Sequence, residues 1–152
     1  MPFSMKTMPV APDLAQIRLF NNQTEAHPFC FVCSGSNPMG LALRYEPQPD
    51  GSVSAKFLGH SALEGYSGLL HGGVIAAMLD GAMTNCLFAH GIAALTAEMK
   101  VRYRHPVRIG QPVLILARIV QSSSPLFVLE SQITQSGLQC AGGTGKFMQV
   151  ST

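Results

Sequence analysis

The sequence predicts an α+β protein in which an antiparallel sheet of about five to six strands wraps around one long central helix. Three observations carry this. Residues 72–90 form one long helical candidate, apolar on nearly every side, and such a helix must be wrapped by other elements. Several segments after it alternate with period two, the mark of half-buried strands. Before it lies a shorter pair of alternating segments joined by a turn.

Taken in order, residues 1–39 read as an N-terminal extension and loop packed on the domain. Asp13 to Phe20 is a short helix candidate, followed by the loop CFVCSGSNPMG, where Asn37-Pro38 and Gly40 mark a turn. LALRYE (41–46) and SVSAKFL (52–58) read as two strands, with Pro49-Asp50-Gly51 as their hairpin turn. The helix begins at Gly72 and carries Val74, Ile75, Met78, Leu79, Ala82, Met83, Cys86 and Leu87 around its circumference. In LTAEMKVRYRHP (95–106), Leu95, Ala97, Met99, Val101 and Tyr103 fall on one face, and Thr96, Glu98, Lys100, Arg102 and Arg104 on the solvent side. PVLILARIV (112–120) and LFVLESQIT (126–134) follow, joined through Ser122-Ser123-Ser124-Pro125, and GTGKFMQV supplies a last strand. With no internal repeat and no long linker, residues 40–152 form a single domain.

Composition excludes several functions. Ten Lys and Arg against eight Asp and Glu leave a net charge of +2 with no block of like charge, which argues against a nucleic-acid partner. The apolar stretch from Gly72 to Leu95 holds Asp80, Thr84, Asn85 and His90, so it reads as a core helix and no membrane partner is expected. The opening MPFSMKTMPVAPD lacks the apolar segment of a secretory signal, and cytoplasmic residence is the expectation. Cys30, Cys33, Cys86 and Cys140 are then expected as free thiols. Cys30 and Cys33 form a CxxC beside His27, but no second CxxC or fourth ligand accompanies them. A packed loop, no metal and no cofactor are therefore expected.

The candidate chemistry lies in HGGVIAAMLD. At 1.5 Å and 100° per residue, His71 and Asp80 are about 13 Å and roughly half a turn apart, so within one chain they cannot share a reacting atom. Either they are functionally unrelated, or a two-fold dimer brings His71 of one subunit to Asp80 of the other. Around Asp80, the small residues Gly73, Ala76, Ala77, Gly81 and Thr84 leave room beside the carboxylate. An acid retained in an apolar wall is better explained by a task, as base or nucleophile, than by stability. The free N–H groups of a helix start suit a developing oxyanion, and glycine lets a carbonyl approach.

GYSGLLHGGVIAAMLDGAM, followed by LTAEMKVRYRHPVRIGQPV, resembles the hotdog-fold acyl-CoA thioesterases of the phenylacetic-acid-degradation type, within the 4-hydroxybenzoyl-CoA thioesterase superfamily. CFVCSGSNPMGLALRY is similar to the opening of one branch of that family. The resemblance covers roughly residues 40–150. It implies a homodimer or dimer of dimers with active sites at the subunit interface, an acyl-CoA substrate and coenzyme A only as part of that substrate. By position, Asp80 would be the general base or nucleophile and the Gly72 N–H the oxyanion donor. His71 would shape the oxyanion pocket, and Thr96 would contact the catalytic water or the carboxylate. Gly65 and Gly73 would line the substrate site, with Glu98, Tyr103 and the turn Gln121, Ser122, Ser123 and Ser124 along the coenzyme A channel.

The chain departs from the family pattern in three ways. Many relatives place Asn or Gln where this chain has Gly65, beside Glu64. Strict alternation puts Thr96 on the solvent face, so a role in catalysis requires a strand end or a bulge there. The turn at Ser122 lacks the usual glycine and basic residue, which shifts phosphate contact towards Arg102, Arg104 or Lys146, each also readable as part of a solvated face. Two other activities remain open: a non-catalytic acyl-CoA-binding protein, which Gly65 favours, and a dehydratase or hydratase built on His60.

Overall fold

The computed structural model describes residues 12–150. The elements are helix α1 (Pro12–Ala26), strands β1 (Glu46–Pro47) and β2 (Val53–Leu58), helix α2 (Gly72–Ala89), and strands β3 (Ala94–Tyr103), β4 (Pro112–Ser123), β5 (Leu126–Gln135) and β6 (Leu138–Gln149). A short 3-10 turn, Ser61–Leu63, precedes α2. All six strands form one antiparallel sheet in the order β1-β2-β4-β5-β6-β3, wrapped around α2 as the periodicities predict.

Helix α2 is the axis of the core because it is apolar nearly all round. Twelve of its residues, from Ile75 to Ala89, are buried. By length and composition it could cross a membrane, but 67% of it is buried inside the protein. The sheet comes close to it through glycines of β6. A Cβ on Gly143 would lie 3.6 Å from Leu79, and one on Gly145 would meet Met83 at 3.1 Å. Phe147, Leu129, Ile133 and Ile115 complete the layer beneath the helix.

Three expectations change. Helix α1 runs on past Phe20 to Ala26 through a polar stretch that no apolar period marks. Tertiary bonds hold that stretch: Asn22 Nδ2 donates to the Phe88 carbonyl at 3.1 Å and Gln23 Nε2 to Asn85 Oδ1 at 2.6 Å. The first strand of the hairpin shrinks to Glu46–Pro47. Ala42 has φ 49°, and the Leu41 and Leu43 N–H groups bond the carbonyls of Phe31 and Val32, so residues 41–45 pair with the cysteine loop instead of β2. Their apolar side chains still turn inward, and Leu41, Leu43 and Tyr45 are buried.

Strand β3 also differs. It pairs with β6 alone and stands at the edge of the sheet, so the face expected to be buried is largely open. Tyr103 is 53% exposed and only Met99 and Val101 of that face are half-buried, while Leu95, which precedes an irregularity in the ladder, turns outward and is 66% exposed.

Candidate functional site

His71 caps α2. Its backbone is extended, and its Nδ1 accepts the Gly73 N–H at 2.8 Å. In the neutral ring this places the hydrogen on Nε2, leaving a donor at the helix start. Among the described residues no acceptor takes the Gly72 N–H, the first of the unpaired amides that carry the positive end of the helix dipole. Its peptide is fixed from the other side, because the Tyr103 hydroxyl donates to the Gly72 carbonyl at 2.7 Å. A Cβ on Gly65 would stand 3.3 Å from His71 Cα, so the chain at Gly65 packs directly on the cap.

These groups open on a cavity of about 660 Å³ at the N-terminal end of α2. Gly65, Tyr66, His71, Gly72, Ile75, Tyr103, Arg104 and His105 are among its lining residues. Arg104 thus joins the cavity wall, whereas Arg102 and Lys146 lie outside it. Glu98 meets Lys146 at 3.8 Å with both side chains exposed, a pair of little energetic weight.

Asp80 lies eight residues along the helix from Gly72, about 12 Å of rise, and does not line that cavity. Its partner is Thr96, whose Oγ1 donates to Asp80 Oδ1 at 2.7 Å. Strict alternation would turn Thr96 away from the helix, and an irregularity in the ladder brings it back. The β3–β6 register shifts between Thr96 and Glu98, with Ala97 as the extra residue, and a bulge re-aims the side chain beside it.

Beneath Asp80 the cysteine loop lies against the helix. A Cβ on Gly81 would approach Val32 Cγ1 to 2.5 Å and the Tyr45 hydroxyl to 3.1 Å, and that hydroxyl donates to the Met78 carbonyl at 3.2 Å. His27, at the end of α1, feels Asp80 electrostatically: burial holds its imidazolium down while the Asp80 carboxylate pulls the other way. Burial also raises the Cys33 thiol, with the Cys30 sulfur adding to the effect.

Of the expected site residues, the fold gathers Gly65, His71, Gly72 and Tyr103 at one cavity and Asp80 with Thr96 at a second point. Gly73 adds its N–H to the cap. The Gln121–Ser124 turn is not brought to either group. Ser122 pairs with Phe127, Phe127 with Phe147 and Phe147 with Thr96, so three strand spacings, about 14 Å, separate the turn from Thr96. His60 stands at the N-cap of the 3-10 turn, is exposed and is not among the residues lining this cavity. Sequence reasoning missed Tyr66, Ile75 and His105 as lining residues. His105-Pro106 directly after the Tyr103 strand was the available signal.

Comparisons with known proteins agree with this architecture. Residues 67–141 match the family model of the thioesterase superfamily. Over 63 residues, 41% of this chain, the sequence is 36% identical to acyl-coenzyme A thioesterase THEM4 of Bos taurus, and it spans a quarter (25%) of that relative's length. The PaaI protein from the phenylacetic acid degradation operon of E. coli superposes with a TM-score of 0.78 at 14% identity, covering 93% of this chain and 97% of that one. A hypothetical thioesterase of Streptococcus pneumoniae TIGR4, solved with coenzyme A, gives a TM-score of 0.68 at 18% identity, over 72% and 91% of the two chains.

Proposed function

We propose that this chain, whose residues 67–141 match the thioesterase superfamily model, hydrolyses the thioester of an aryl- or short- to medium-chain acyl-CoA to the free acid and CoA. The observation that carries the reading is the Asp80–Thr96 pair on a helix whose first N–H, at Gly72, has no acceptor among the described residues. The name of the bovine relative and the coenzyme A held by the Streptococcus pneumoniae protein support the substrate class.

In this mechanism the thioester carbonyl accepts the Gly72 N–H, and the His71 Nε2–H stands beside it. As the carbonyl becomes tetrahedral, its oxygen takes negative charge that these donors stabilise without reorganising. Asp80 either removes a proton from water attacking that carbon or attacks it directly. In the second case a mixed anhydride forms, the CoA thiolate departs and takes a proton, and water then cleaves the anhydride. Thr96 holds one oxygen of Asp80, leaving the other for the reacting group.

The two halves lie about 12 Å apart along one helix, so the reading requires a two-fold dimer in which Gly72 of one subunit faces Asp80 of the partner. The open edge strand β3, with Leu95 and Tyr103 exposed, is a surface such an assembly would cover. Arg104 on the cavity wall is the candidate for a coenzyme A phosphate.

Release of free thiol from a panel of aryl- and alkanoyl-CoA esters tests this. Turnover by the wild type, falling about a hundredfold or more in Asp80→Asn, is the expected result. Gly65 favours a second reading, because glycine carries no side-chain amide to orient a carbonyl. Tight acyl-CoA binding with no thiol release across the panel would make the protein a non-catalytic binder.

A further inference from the structure

The loop leaving α1 gathers three side chains that thioester hydrolysis does not use. Ligand atoms of His27, Cys30 and Cys33 lie within 4.8 Å of one another, and all three residues are half-buried. His27 Nδ1 and Cys33 Sγ are 3.6 Å apart. Tetrahedral zinc, with bonds of about 2.0–2.1 Å to nitrogen and 2.3 Å to sulfur, holds such a pair about 3.6 Å apart. A thiol–imidazole hydrogen bond would account for that single distance. A thiol–thiol contact between Cys30 and Cys33 accounts for the second sulfur, and the three ligand atoms together also lie within reach of a single ion.

Two further features fit a metal thiolate. The Val32 N–H donates to Cys30 Sγ at 3.3 Å, an amide aimed at the sulfur in the manner of the outer partners that orient metal ligands. The His27 ring is held edge-on against Phe88, with centroids 4.9 Å apart, so the imidazole is oriented before any ion arrives.

We propose that His27, Cys30 and Cys33 form a zinc site that clips the end of α1 to the loop lying on α2. Two sulfurs and an imidazole are the ligand set of a soft to borderline divalent ion. Binding displaces the thiol protons to solvent, and water takes the fourth position. The clip acts close to the centre of the molecule, since Val32, between the two cysteines, packs on the helix at Gly81, next to Asp80.

The test uses the full chain, stripped with a chelator and reloaded with zinc sulfate. The wild type should retain about one zinc per chain by atomic emission and melt at higher temperature with zinc than without. Cys30→Ser and Cys33→Ser should each weaken zinc binding by more than the roughly 10–100-fold that losing a supporting partner costs, whereas Cys140→Ser should bind as the wild type does. If the serine variants fail to fold, cobalt(II) added to the stripped wild type decides: a thiolate-to-cobalt charge-transfer band supports the site and its absence overturns it. Zinc well below one equivalent, binding indifferent to Cys30→Ser, or a Cys30–Cys33 disulfide in protein purified with zinc present would also overturn it.

Discussion

Thr96 has a single assignable task, to hold one oxygen of Asp80 through a 2.7 Å hydrogen bond. Valine keeps its shape and β-strand preference and removes the hydroxyl. A hydrogen bond to a charged group is worth about 1.5–3 kcal/mol, so Thr96→Val should lower kcat about 10- to 100-fold with little change in melting temperature. A rate within twofold of wild type would deny Thr96 that task. Gly72 permits an equally specific change. It is the first residue of α2, where proline is tolerated, and His71 before it is already extended, as a residue preceding proline prefers. A Cβ there would meet Tyr103 at an ordinary 3.5 Å. Gly72→Pro should therefore fold normally by circular dichroism while losing about a hundredfold or more in thiol release, because only the N–H is gone.

At the scale of elements, the register of α2 against its surroundings depends on close approach at Gly81. A methyl group there would stand 2.5 Å from Val32 Cγ1, too close for any real contact, and would press on the Tyr45 hydroxyl beneath. Overpacking of this kind costs about 1–3 kcal/mol. Gly81→Ala should lower stability by that amount in denaturant titration, although alanine is the better helix former by roughly 1 kcal/mol. A stabilised variant would mean that the loop does not rest on the helix. The bulge in β3 works at the same scale. It inserts Ala97 and turns Thr96 towards the helix. Period two along residues 95–106 marks the strand and the faces of Met99 and Val101 but puts Thr96 on the wrong face, since one extra residue at Ala97 inverts the faces before it relative to those after it.

At the scale of the whole molecule, the proposed site is divided between two subunits, and that division can be tested without a structure of the assembly. Asp80→Asn and Gly72→Pro each disable one half. In a two-fold dimer that exchanges these halves, a mixed dimer has one site with both defects and one with none. Equal mixtures refolded together should recover about a quarter of wild-type activity, half of the dimers being mixed and half of their sites intact. If each site lies within one subunit, the mixture stays as inactive as its parents.

What the sequence by itself determined were the features that depend on local pattern: a helix apolar on all sides, strands of period two, a cap with unpaired amides at His71-Gly72 and an acid nine residues along. From these followed the class of fold, the central position of α2 and the impossibility of His71 and Asp80 meeting in one chain. Tertiary structure alone decided which strand stands at the edge, why α1 continues through polar Asn22 and Gln23, why residues 41–45 leave the hairpin, and that Arg104 and His105 reach the cavity while the Ser122 turn does not. The physical reason is common to all four. Hydrogen bonds and contacts between segments distant in sequence leave no periodicity behind, so a bulge, a side-chain bond to another helix or a place at the rim of a sheet becomes visible only when the chain has closed on itself.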